Sequence, residues 1–107
     1  MIDQDNMLSG LACDLSAIAL EQRAGHQALA TQLFRQAAQE RTELTDGYAF
    51  RFPAERYADL TAFIANERLC CPFFTFTLEV TADQGPLWLH ITGREGAKAI
   101  LQGALLG

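Results

Sequence analysis

The chain carries three cysteines, two of them adjacent: Cys70-Cys71, followed at once by Pro72, with Cys13 far upstream. Soft ions such as Hg(II), As(III), Cd(II) and Cu(I) prefer thiolate sulfur, and three converging thiolates suit trigonal coordination. Cys13, Cys70 and Cys71 are therefore the candidate ligands, and a soft metal or metalloid ion is the candidate cargo. Side chains of sequence neighbours point apart, so one of Cys70 and Cys71 is expected to join Cys13 while the other faces inward. Two other readings stand beside this one. Free cysteine is among the most buried residue types and often serves as a small hydrophobe. Alternatively, oxidation joins Cys13 to Cys70 or Cys71, or closes a strained ring between the vicinal pair. A helix C-terminus raises a thiol's pKa because that end of the dipole is negative, which argues against a cysteine hydrolase. The paired Cys-x-x-Cys pattern of structural zinc is missing.

Other polar residues are weighed against this cluster. Glu67 and Arg68, one turn before the thiols, either tune the site or form a surface charge pair, worth under ~1 kcal/mol if exposed. Glu21 and Arg23 carry the same ambiguity. His26 falls mid-helix on a mostly polar face, where a solvated imidazole is the expectation. His90 lies mid-strand, too far from the helix end for a Cys-His dyad, which needs hydrogen-bond reach. Trp88 and His90 share a polar strand face, and an aromatic there marks an interface, with homodimerisation through the sheet as the expected contact. Phe73, Phe74 and Phe76 lack the flanking cations of a nucleic-acid stacking strand and read as core. No glycine-rich phosphate loop, paired catalytic carboxylates or Gly-x-Ser-x-Gly elbow is present.

The elements that must position the thiols follow from periodicity. Residues 1–10 read as a flexible lead-in, and 11–107 as a single domain. Leu11 to Leu15 is a short strand or an extended approach to the helix that Ser16 would cap. A long helix is expected over about Ala17 to Arg41, with Leu29, Leu33, Phe34 and Ala37 as its apolar stripe and Gly25 as a point of close approach. Thr45-Asp46-Gly47 turns the chain into a strand in which Tyr48, Phe50 and Phe52 alternate with Ala49 and Arg51. Pro53 opens a second helix, about Ala54 to Leu69, burying Tyr57, Leu60, Phe63 and Ile64. Pro72 removes a donor and disfavours helical geometry at Cys71, so this helix must stop near Cys70. A strand with Phe74, Phe76, Leu78 and Val80 on one face follows. Ala82-Asp83-Gln84-Gly85 is the hairpin to a return strand with Leu87, Leu89 and Ile91 inward. Thr92 and Glu95 fit a capping box for a last helix, about Arg94 to Leu106, burying Ala97, Ile100, Leu101, Ala104 and Leu105. The fold class expected is α+β: a two-layer sandwich of three or four antiparallel strands and three helices, ordered (β)αβαββα.

A chain of 107 residues supports one hydrophobic core. A net charge of −5 argues against direct binding to nucleic acid or anionic membrane, which needs a basic patch. The acidic, polar start predicts no secretory signal, and no apolar run approaches the roughly 20 residues of a membrane span. A cytoplasmic location, where thiols stay reduced, is the expectation.

Glu67-Arg68-Leu69-Cys70-Cys71-Pro72-Phe73, followed by Gly85-Pro86-Leu87-Trp88-Leu89 and Thr92-Gly93-Arg94-Glu95-Gly96-Ala97-Lys98, resembles a set of small bacterial proteins with a Glu-x-x-Cys-Cys-x-Phe core. Similar domains are appended to some MerR-type regulators of the mercury-resistance kind. The resemblance spans about residues 8–106, including Cys13-Asp14-Leu15-Ser16 and Asp46-Gly47-Tyr48. It implies soft-metal or thiol chemistry for a small accessory protein and supplies no activity of its own. This chain has no helix-turn-helix, so the regulators' DNA binding is not implied.

Overall fold

The structure is a computed structural model that describes residues 11–106. The lead-in expected over 1–10 lies outside the described residues. A 3₁₀ turn, Leu15–Ala17, leads into helix α1 (Leu20–Thr31), which widens into a π-helical end, Gln32–Ala37. Strands β1 (Glu40–Leu44) and β2 (Gly47–Phe52) form a hairpin. A second 3₁₀ turn, Ala54–Arg56, precedes helix α2 (Tyr57–Cys70). Strands β3 (Phe74–Val80) and β4 (Leu87–Gly93) follow, then helix α3 (Ala97–Leu101), with a π-helical extension, Gln102–Leu106. The expected α+β class is observed, with a four-stranded antiparallel sheet ordered β1-β2-β4-β3.

Period-two alternation across this register builds one apolar face. Tyr48 lies in one row with Ile91 and Phe76, Phe50 with Leu89 and Leu78, and Phe52 with Leu87 and Val80. All of these but Val80 join the core cluster with Ile18 and Leu33 of the first helical region, Leu60 and Phe63 of α2, and Ala97 and Leu101 of α3. Val80, at the edge strand's far end, is 58% exposed. Phe34 is the hub, meeting Phe50, Phe52 and Phe63 edge-on at centroid distances of 4.9, 5.7 and 5.1 Å. Such aromatic side chains each remove large apolar areas from water, about 1.5–3 kcal/mol apiece when fully buried. The opposite face carries Glu40, Arg51, Trp88 and Glu79 in one cross-strand row, with His90 between Ala49 and Thr77 in the next.

Several expectations are corrected. The fourth strand is Glu40–Leu44, while residues 11–14 precede the 3₁₀ turn without pairing as a strand. Glu-Arg-Thr-Glu-Leu is too polar to signal a strand by hydrophobic alternation; it is an edge held by its turn into β2. The first helix consequently ends at Ala37, where Ala38 N–H donates to Leu33 O five residues back. Ser16 does not cap the helix but donates to the Asp14 carboxylate, which caps the 3₁₀ turn. Gly25 admits no close neighbour, since a Cβ there would meet nothing within 4 Å. Tyr57, expected on the buried face, is 50% exposed, at the junction where a 3₁₀ turn passes into α2. The last helix begins at Ala97 behind Gly96, whose φ of 95° breaks the helical path and leaves the Thr92/Glu95 box without a helix to cap. Ala104 is exposed there.

Candidate thiol site

The thiols meet where the chain's first described segment crosses the end of α2. Pro72 forces Cys71 out of helical geometry, to φ −124° and ψ 76°. Helix α2 therefore closes with Cys71 N–H donating to Glu67 O at 2.8 Å. The freed carbonyl of Cys70 accepts from Asp14 N–H at 2.8 Å, which lays the Cys13–Asp14 backbone across the helix end. Arg23 secures that segment from α1, donating to Ile18 O at 2.9 Å and Ser16 O at 3.2 Å. Arg23 is thus a clamp on the approach to α1 rather than a solvated charge.

Cys13 and Cys71 are joined as a disulfide across a sequence separation of 58, with Cα atoms 4.5 Å apart. Cys70 is a free, buried thiol. The three sulfurs all lie within 4.8 Å of one another. Cys13 is exposed, whereas Cys70 and Cys71 are 6% and 1% exposed, so both vicinal residues are buried and one of them still reaches Cys13. Of the open alternatives for pairing, the geometry selects Cys71. Burial, followed by the nearby Glu67 charge, pushes the Cys70 thiol pKa up and keeps it protonated.

Glu67 and Arg68 separate. Arg68 is exposed, while Glu67 turns inward, 5% exposed. Its Oε1 lies 2.7 Å from His26 Nε2, and its Oε2 lies 3.5 Å from Cys71 Sγ. In the disulfide that sulfur carries no proton, so the second contact becomes a donor–acceptor pair only on reduction. With Glu67 ionised, His26 Nε2–H donates to it, and His26 Nδ1 has no partner among the described residues. His26 stacks on Phe63 at a 5.4 Å centroid distance and 12° interplanar angle. Asn66 Nδ2 donates to Gln22 Oε1 at 3.2 Å beside this pair and fastens α1 to α2.

The expectation of a solvated His26 is therefore overturned: it is buried, its imidazole used to satisfy a buried carboxylate. A signal for both residues existed. His26, Leu29 and Leu33 share one helical face at i, i+3 and i+7, and Glu67 falls on the Leu60, Phe63 and Cys70 stripe. A lone acid on an apolar stripe requires a partner, and the only histidine on a helix could supply it. Trp88 and His90 sit on the far side of the sheet, half-buried and paired with Arg51/Glu79 and Ala49/Thr77. They are not part of the thiol site.

Beside the disulfide lies a cavity of about 270 Å³. Leu15, Ala30 and Leu105 give it an apolar wall, and Gln27, Thr31 and Arg35 a polar one. Cys13, Cys70, Cys71, Glu67 and His26 also line it, Cys13 being the exposed one of the three thiols. Chemically the cluster can do two things. As a disulfide it is closed; reduced, it presents three sulfurs that could hold a thiophilic ion. Among the described residues no helix is long and apolar enough to cross a membrane. Compared with protein-family models, curated proteins and solved structures, the chain gives no significant match.

Proposed function

We propose that this chain is a small accessory protein that binds a soft metal or metalloid ion through Cys13, Cys70 and Cys71 when the Cys13–Cys71 bond is reduced. The observation that carries the reading is the convergence of three sulfurs within 4.8 Å at one helix end. Three sulfurs at that spacing suit a trigonal thiophilic centre such as As(III) or Hg(II). Two of them are already buried, so little further ordering is needed to enclose the ion. The buried Glu67–His26 pair fixes the helix end that carries the vicinal thiols, a supporting contact of the kind that orients metal ligands. Likeness to the Glu-x-x-Cys-Cys-x-Phe proteins points to the same chemistry. In this reading oxidation is the off state, because the disulfide removes two ligands at once.

The test is a titration of the reduced chain with As(III), Hg(II), Cd(II) and Zn(II), followed by thiolate-to-metal absorbance. One ion per chain is expected, with sharp weakening in Cys13→Ser, Cys70→Ser and Cys71→Ser and no uptake by the oxidised chain. Binding indifferent to which cysteine is missing refutes the reading. Function then moves to the alternative, a non-catalytic interaction module whose cysteines stabilise the core and whose sheet face around Trp88 and His90 forms a homodimer.

A further inference from the structure

The Cys13–Cys71 bond implies an oxidant, and the geometry specifies where it enters. Both residues line the cavity, Cys13 exposed and Cys71 only 1% exposed. An oxidant arriving from solution therefore meets Cys13 first. We infer that the site reduces a hydroperoxide, with Cys13 as the attacking sulfur and Cys71 as the sulfur that resolves the product. This goes beyond the metal reading, needs no ion, and uses only residues that line one cavity.

The chemistry balances in two steps. The Cys13 sulfur attacks the outer peroxide oxygen, the O–O bond breaks, and Cys13–SH plus ROOH become Cys13–SOH plus ROH. The Cys71 thiol then attacks the Cys13 sulfur, the S–S bond forms, the S–O bond breaks, and water leaves. Two thiols lose two electrons to the peroxide, and the disulfide observed in the structure is the product. The second step requires the proton of Cys71 to be accepted and passed to the departing hydroxyl. A carboxylate oxygen of Glu67 is 3.5 Å from Cys71 Sγ, and the same carboxylate is backed by His26 at 2.7 Å. Arg35 lines the same cavity. The apolar wall of Leu15, Ala30 and Leu105 gives room for a small alkyl group, so small organic hydroperoxides fit as well as hydrogen peroxide.

The experiment uses the reduced full chain in chelator, mixed with one equivalent of hydrogen peroxide or tert-butyl hydroperoxide. Peroxide loss, disulfide mapping by peptide mass spectrometry and dimedone trapping are read together. Oxidation of the native chain should outpace that of the urea-unfolded chain by about tenfold or more, the advantage of two sulfurs held within bonding reach. One peroxide should be consumed per Cys13–Cys71 bond. Cys71→Ser should leave a dimedone adduct on Cys13, and Cys13→Ser, at an exposed position that tolerates the change, should reduce the rate to that of the unfolded chain. A dimedone adduct on Cys70, or native oxidation no faster than unfolded, overturns the proposal. Peroxide reduction without As(III) uptake would refute the metal reading alone, and the reverse outcome would refute only this one.

Discussion

Reducing the Cys13–Cys71 bond should lower the stability of the chain by a calculable amount. The bond closes a loop across a sequence separation of 58, and the loop-entropy relation gives about 4 kcal/mol at about 25 °C for that length. Native-state strain and residual denatured structure both reduce the figure, so it is an upper bound. Set against the roughly 5–15 kcal/mol typical of a whole domain, it is a large share. For a chain near 100 residues it corresponds to roughly 15–30 °C in Tm. The assay is urea unfolding of the oxidised chain, the chain in reductant, and Cys13→Ser in both conditions. Cys13 is exposed, so its replacement removes the bond without opening a cavity. Reduced wild type and Cys13→Ser should unfold at the same urea concentration, well below the oxidised wild type, and Cys13→Ser should ignore reductant. Adding As(III) to the reduced wild type should recover part of the loss by mass action. Stabilities of oxidised and reduced wild type that agree within about 1 kcal/mol would refute the reasoning, because closing a loop of this length costs more than that. Loss of the reductant effect in Cys70→Ser rather than Cys71→Ser would refute the pairing.

Three further outcomes are expected. His26→Ala strands the buried Glu67 carboxylate and should cost on the order of 3 kcal/mol in urea unfolding, with Glu67→Gln in the same background recovering much of it. The raised Cys70 pKa means that the folded chain keeps a proton the unfolded chain has lost, so stability is full below the unfolded thiol pKa and falls as pH rises from there through the folded one. Alkylation by iodoacetamide at neutral pH should accordingly be slower at native Cys70 than in urea, and Cys70→Ala should flatten the alkaline limb of the stability curve. Gly47→Ala should destabilise the chain by more than about 2 kcal/mol in urea unfolding. A Cβ at Gly47 would overlap the Ile91 carbonyl and lie 2.8 Å from the Thr92 Cα across the β2–β4 pair.

The core of this fold was legible because its aromatic and aliphatic residues obey one period per element. Tyr48, Phe50 and Phe52, and then Leu87, Leu89 and Ile91, alternate cleanly and lie on the buried face as read. Pro72 ended α2 where its missing donor dictates. The gathering of Cys13 with Cys70 and Cys71 was readable too, since it needed only the start of α1 to lie against the end of α2. What failed was polar structure. β1 has no apolar alternation, so only its antiparallel partner reveals it. His26 and Glu67 each fall on an apolar helical stripe, yet a titratable residue there reads as buried only once its partner is known. Their sequence separation of 41 hides the pairing from any local window. Gly96 ended the capping-box reading through a backbone angle that residue type permits without announcing.

Lys98 shows how the far end of the sheet is tied down. It donates to Glu43 at 2.6 Å and to Leu44 O at 2.7 Å, and it stands 5.4 Å from the Tyr48 ring. Its hydrogen bond, then its charge, hold the Glu43 carboxyl below the usual range, so this contribution is present above the unfolded carboxylate pKa and is lost as pH falls through the folded one.

The Cys13–Cys71 bond also makes the chain unevenly divisible. It encircles α1, the β1–β2 hairpin and α2 in one covalent ring, while β3, β4 and α3 trail from it as an open tail. A protease cut inside the ring, at the exposed Thr45–Asp46 turn for example, severs the backbone yet leaves both pieces attached. A cut in the Ala82–Gly85 turn frees β4 and α3 from every covalent link to the thiol site. The same nick thus yields one species or two according to the redox state only when it falls within the ring.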